Sequence, residues 1–208
     1  MRKKLLPMFL LMLMGMVGNL TVLAQTPEPS GQWNFDSPSD LMAATTGNVT
    51  LSPAVIGAAS VSTATVDEAG ITVAEGPKGT NAIFVPAASA LKVERAEGAE
   101  ASTNFSFMID LKVPNAYVYD GLFQTSPTNT NDGEVFISKS QIGAGAMGGY
   151  YGCIWDDFWY RVVFTNSNGS VKLYVNGEKI IDYETTNTRW EIDPPPASDT
   201  AENGSRPE

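Results

Sequence analysis

Apolar residues along most of this chain recur at every second position. The clearest run spans residues 104–113, where Phe105, Phe107, Ile109, Leu111 and Val113 fall on one face. Asn104, Ser106, Met108, Asp110 and Lys112 fall on the other, and Pro114 ends the run. Alternate side chains of a strand point to opposite faces, so this pattern predicts a strand with one face against a core. Each fully buried Phe or Leu there contributes roughly 1.5–3 kcal/mol. A second unit covers residues 159–183, in which Val171, Leu173 and Val175 alternate with Lys172 and Tyr174. Asn168-Gly169 and Asn176-Gly177 punctuate it. Asn-Gly accepts the positive φ angles of tight hairpin turns, which predicts three consecutive antiparallel strands. Weaker strands are expected at 31–36, 48–52, 60–66, 81–85, 89–94, 119–124, 134–138 and 147–154. Residues 87–101 are rich in alanine but lack an apolar stripe, so they hold at most a short helix. Many short strands separated by Gly, Asn, Pro and Ser turns predict an all-β, two-sheet antiparallel sandwich.

The ends of the chain change the picture. Arg2, Lys3 and Lys4 precede an apolar stretch at 5–16, and Val22-Leu23-Ala24 comes before Gln25. A positive start, an apolar middle and small residues at the −3 and −1 positions predict a cleaved signal peptide over residues 1–24. An uncleaved anchor helix is the alternative, since 5–24 approaches a membrane-spanning length, but Gly15, Gly18 and Asn19 favour cleavage. No cysteine follows the apolar stretch, which excludes a lipid anchor on a new N-terminal cysteine. The expected location is therefore secreted, periplasmic or at the cell surface, without membrane insertion after cleavage. Residues 25–30 read as a proline-rich linker, 31–192 as one sandwich domain, and 193–208 as an irregular polar tail.

Charge and missing residue types narrow the function. Thirteen Lys and Arg stand against 23 Asp and Glu, and three of the basic residues belong to the signal segment. Such a surface repels nucleic acid and anionic lipid, and attracts divalent cations. The lone cysteine, Cys153, cannot form an internal disulfide and is expected to be a small buried hydrophobe. There is no histidine, which removes the commonest general base, the usual zinc ligand and every Ser-His or Cys-His arrangement.

Particular stretches carry a family likeness. Gly31-Gln32-Trp33-Asn34-Phe35-Asp36 followed by Ala43-Ala44-Thr45-Thr46-Gly47-Asn48 resembles the opening of secreted laminin-G-like domains of the concanavalin A-like superfamily. Asp157-Phe158-Trp159-Tyr160-Arg161-Val162-Val163-Phe164 and Val171-Lys172-Leu173-Tyr174-Val175-Asn176-Gly177-Glu178 are similar to a hairpin of that family. Asp120-Gly121-Leu122-Phe123-Gln124-Thr125 and Asn131-Asp132-Gly133-Glu134 sit where such domains have like segments. The resemblance spans about residues 31–192. It implies a concanavalin A-like jelly roll of two antiparallel sheets, and a non-catalytic role in recognising a glycan or an extracellular or cell-surface protein, often with calcium. Two alternatives stand beside it: a purely structural sandwich without a small-molecule site, and a degenerate glycoside hydrolase. Relatives of this kind continue past the Trp190-Glu191-Ile192 stretch with further strands. Here Asp193-Pro194-Pro195-Pro196 follows, and 197–208 holds no Val, Ile, Leu or aromatic residue, so a fold cut short at its C-terminus is expected.

Three kinds of site are open to this composition. Glycoside hydrolysis needs two carboxylates across a sugar, about 5–5.5 Å apart for retention or 6.5–9.5 Å for inversion. Laminarinase-type members of the superfamily carry them as Glu-x-Asp-x-(x)-Glu on one strand. Glu191-Ile192-Asp193 begins such a pattern, but Pro194-Pro195-Pro196 stands in place of the second Glu and breaks the strand, so no catalytic residue is assigned. Calcium takes six to eight oxygens, and Asp120, Asn131, Asp132 and Glu134 are the candidate ligands, with a solvated turn as the plainer reading of 129–134. Sugars present flat C–H faces to aromatic rings and hydroxyls to carboxylates. Tyr151, Trp155, Asp156 and Asp157 are the candidate ligand-binding residues, with Trp155 as the stacking ring and Trp159 expected inside the core. The plainer reading is a cluster of core and rim aromatics without a ligand.

Overall fold

A computed structural model of the chain describes residues 28–37, 39–56, 61–63, 70–125, 133–186 and 188–192. The expected signal segment 1–24 and the expected tail 193–208 lie outside the described residues, as do residues 25–27 of the expected linker. In chain order the strands are β1 (Gly31–Gln32), β2 (Thr46–Gly47), β3 (Thr50–Ile56), β4 (Val61–Thr63), β5 (Thr72–Glu75), β6 (Asn81–Phe84) and β7 (Ser89–Glu94). There follow β8 (Asn104–Leu111), β9 (Asp120–Gln124), β10 (Glu134–Ser138), β11 (Gln141–Ala144) and β12 (Gly149–Tyr151). The last three are β13 (Tyr160–Ser167), β14 (Ser170–Val175) and β15 (Glu178–Glu184).

All the strand pairings among these are antiparallel. Two four-stranded sheets, ordered β15-β14-β13-β8 and β12-β11-β10-β9, form the sandwich, and smaller sheets are built from β1–β7. The two tight turns read from Asn-Gly form as expected, with φ of 52° and 95° at Asn168 and Gly169 and of 49° and 86° at Asn176 and Gly177. Residues 89–94 are strand, so the alanine-rich stretch contributes no helix there. Three pieces escaped the pattern: the two-residue β2, β5, and β11, where glycine-rich Gln141-Ile142-Gly143-Ala144 carries little alternation. No helix among the described residues is long and apolar enough to cross a membrane.

The core lies between the two larger sheets. Val135, Ile137, Ile142 and Ala144 on one side meet Val162, Phe164, Val171, Leu173 and Ile181 on the other, and all are buried. Phe164 is the hub, with its ring 5.6 Å from Phe105, 5.3 Å from Phe107, 5.7 Å from Phe123 and 5.3 Å from Trp190. The expected apolar face of residues 104–113 is realised in part: Phe105, Phe107, Leu111 and Val113 pack in this cluster, whereas Ile109 is exposed.

Trp190 closes one end of the core from a short 3-10 turn, Thr188–Trp190, and is 1% exposed. Its carbonyl accepts a bond from buried Asn166 Nδ2 at 2.8 Å. Thr125 Oγ1 donates to the Arg189 carbonyl at 2.7 Å and accepts from the Gly133 N–H at 2.9 Å. A side chain at Gly133 would stand 2.4 Å from the indole, so only glycine lets the chain pass under the ring. Ile192 then pairs with Ser102 through two backbone bonds. Trp190→Ala should therefore cost about 3–5 kcal/mol of stability, as truncation of a large buried ring does. Gly133→Ala should also destabilise, by forcing the indole aside. Denaturant titration checks both, and a loss below about 1 kcal/mol for Trp190→Ala would show that the indole does not close the core.

Candidate functional site

The end of the sandwich opposite Trp190 is assembled from three loops, 112–119, 139–140 and 152–159. They are tied together through the backbone. Ser140 N–H donates to the Ala116 carbonyl at 2.8 Å, Lys139 N–H to Tyr117 at 3.1 Å, Ile154 N–H to Ser140 at 2.8 Å, and Asp157 N–H to Val113 at 2.8 Å. Ala116 and Ile154 are fully buried and anchor two of the loops in the core. With these small and aliphatic residues inward, the large rings are left outward: Tyr117 is 69% exposed, Phe158 63% and Trp155 58%. Exposed rings gathered at one end of a fold mark a candidate interaction surface.

The candidate ligand residues distribute unevenly over this end. The Trp155 ring stands in solvent, while its backbone N–H donates to the Tyr160 hydroxyl at 2.9 Å. Asp156 is spent partly on the fold, since Oδ1 accepts the Ala116 N–H at 2.7 Å. Asp157 is exposed and holds φ of 60°, the left-handed conformation that Asp tolerates better than most residues. These three share one loop. Tyr151 lies apart from them on β12, opposite buried Ile142 and hence on the core-facing side at the sheet edge. Its hydroxyl donates to the Gly148 carbonyl at 2.9 Å.

Two neighbours differ from expectation. Cys153 is exposed, not buried. Gly152, at φ of 71°, turns the chain out of the strand immediately after Tyr151, so the alternation stops and Ile154 takes the core position. Trp159 is only half-buried, with Lys112 Nζ 5.8 Å from its ring centroid, and Tyr160 is the first core residue of β13.

Of the candidate metal ligands, Asp120 and Glu134 can be placed, and they do not converge. Asp120 pairs with Ile137, which is buried, so Asp120 faces the core side of the sheet. Glu134 lies three positions from Ile137 on the same strand and faces the outer side. It pairs with Gln124, four residues along β9 from Asp120, which separates the two backbones by roughly 13 Å. Burial pushes the Asp120 carboxyl upward from its ordinary value. Asn131 and Asp132 lie outside the described residues. Among the described residues no three His, Cys, Asp or Glu side chains are grouped to hold a metal. Asp120 and Glu134 therefore do not fit a common calcium cage.

One group of residues was missed in the sequence. Phe136 points away from the core on β10, because Val135 and Ile137 point in. Tyr119 stacks on it with centroids 4.5 Å apart and planes at 29°, and is 61% exposed. Its hydroxyl shares a 3.1 Å hydrogen bond with the Tyr150 hydroxyl. Desolvation, the Tyr150 contact and the Glu134 charge together hold the Tyr119 phenol well above its ordinary range, so it stays neutral. Alternation around Val135 and Ile137 could have shown that Phe136 is outward. No local signal could have shown that Tyr119 lies over it.

No family model and no curated protein matches the chain. Among solved structures, the chain is similar to domain 4 of AbnA, a GH43 extracellular arabinanase from Geobacillus stearothermophilus, in complex with arabinotriose. The TM-score is 0.50 at 15% identity, over 79% of this chain and 78% of that one. At this identity the likeness is one of fold, an all-β antiparallel sandwich.

The separation of Asp120 from Glu134 has a direct check. Asp120→Asn should leave the effect of millimolar calcium on the melting temperature the same as in the unsubstituted chain, because a group that does not hold the ion contributes nothing to the linkage. A calcium-dependent rise that disappears in Asp120→Asn would contradict the geometry.

Proposed function

We propose that this chain is an exported, non-catalytic module that binds a glycan through the aromatic end of its sandwich. The observation that carries the reading is the exposure of Trp155, Phe158 and Tyr117 on loops held together by backbone bonds. An aromatic ring offers a sugar an apolar face, and ordering that ring beforehand lowers the entropic cost of binding. Asp157, exposed beside Trp155, supplies acceptors for sugar hydroxyls. Tyr151 serves at the margin of this surface, and Asp156 holds the loop in shape. The arabinotriose in the structure of the similar arabinanase domain makes arabinan-type chains the first ligands to examine. We keep the laminin-G-like and concanavalin A-like reading of the sandwich as part of the same proposal.

A hydrolase reading has less support. Glu191 precedes Ile192, whose backbone pairs with Ser102 at the Trp190 end, far from the exposed rings. Asp193 lies outside the described residues. A purely structural sandwich is the second reading, and the bond between Asp156 and the Ala116 N–H favours it, since that carboxylate already serves the fold.

The test is a panel of arabinan, xylan, β-glucan and mannan, titrated with and without calcium. Trp155→Ala should weaken the best ligand by about tenfold or more, as loss of a central aromatic contact does, with little change in melting temperature. Binding retained in Trp155→Ala would refute the site. Absence of binding across the whole panel would favour the structural reading.

A further inference from the structure

The rings at the loop end are not the chain's only presented aromatics. On the outer face of the β12-β11-β10-β9 sheet, Phe136 and Tyr150 lie in one cross-strand row with Gly143 between them. Gly121, the partner of Phe136 on β9, completes that row. Neither glycine raises a side chain, so the row has an open floor. Tyr119 enters from the segment before β9 and lies over Phe136, and its hydroxyl meets that of Tyr150 on the far strand. The ring is thereby fixed at two points: Phe136 supports one face and Tyr150 holds the tip. With one face covered and 61% of the residue exposed, the other face looks into solvent.

We infer that Tyr119 is a second saccharide-stacking platform, on the outer sheet face, preorganised by Phe136 beneath it and Tyr150 at its tip. The inference rests on the glycan-binding reading above but uses different residues. A ring held flat before the ligand arrives loses little freedom on binding, which is what distinguishes a platform from a loose surface tyrosine. The ligand class follows from the surroundings. Glu134 lies on the same face and its charge reaches the Tyr119 phenol. Ser138 and Gln141, paired across β10 and β11, supply neutral hydrogen-bonding groups nearby. A neutral sugar chain suits this face, whereas a uronate polymer would meet like charge.

Calorimetric titration of the whole mature chain with arabino-, xylo- and cello-hexaose, and with hexagalacturonate, tests the inference. Tyr119→Ala should weaken the best neutral hexasaccharide by roughly tenfold, the scale of a buried aromatic contact. Tyr150→Phe, which releases the tip but leaves the ring, should weaken it by a smaller factor of about two to five. A melting curve of Tyr119→Ala within about 3 °C of the parent shows that the loss is not unfolding. Wild-type affinity in Tyr119→Ala, with binding lost in Trp155→Ala, would overturn the platform and leave the loop site standing. Tighter binding of hexagalacturonate than of every neutral hexasaccharide would overturn the ligand class. No binding of any of the four would overturn both readings.

Discussion

Phe164 sits at the crossing of the contacts that hold the two large sheets together. Its strand, β13, pairs with β8 from Tyr160 to Ser167 and with β14 from Val162 to Ser167, so it is fixed on both sides by backbone bonds. From the middle of that strand the ring reaches Phe105 and Phe107 on its own sheet, Phe123 on the opposite one, and Trp190 at the end. Aromatic burial of this kind is a large part of what opposes chain entropy in a domain without disulfides. The single thiol is exposed and takes no part. The two ends of the sandwich then diverge. At one end Trp190, Thr125 and Asn166 satisfy the backbone and shut the core. At the other, β13 begins at Tyr160, and the loops that precede it leave their rings outside.

The loop end also carries backbone strain. Lys139 and Ser140 turn between β10 and β11 with φ of 51° and 61°, where Asn-Gly would be the relaxed choice. Left-handed conformations cost roughly 1–2 kcal/mol for such residues. Both N–H groups donate to the 112–119 loop, to Tyr117 and to Ala116, and Ser140 also accepts from Ile154. The turn thus joins all three loops, and those bonds offset its conformational cost. Strain kept at a place with so many exposed rings fits a surface shaped for a ligand better than a plain hairpin.

Where local periodicity is strong, the sequence predicts the fold well. Alternation through 104–113 and the two Asn-Gly pairs located β8, β13, β14 and β15, because side-chain direction and turn chemistry are local properties. The β10–β11 hairpin was harder to see, since Lys139-Ser140 carries no turn signature and Gly143 interrupts the alternation. The site was legible only in part. Trp155 was readable as an exposed ring between turn residues, whereas Cys153 was misplaced because the strand expected to reach residue 154 stops at Tyr151, where Gly152 turns the chain. The Asp120 and Glu134 pairing failed for another reason. Closeness in sequence does not show which face of a sheet each carboxylate takes, and the Val135/Phe136 bulge shifts the register between them. Tyr119 over Phe136 is a contact between segments 17 residues apart in the chain, and only the folded sheet brings them together.

The proposed ligand surface is one end of this sandwich together with the adjoining outer sheet face. A backbone amide NMR titration of residues 25–208 with the tightest-binding oligosaccharide locates it. Binding there would shift residues 115–119, 134–136 and 150–158 and leave the 166–173 and 188–192 segments unmoved. Changes centred on the Trp190 end, or spread evenly over both sheets, would contradict it.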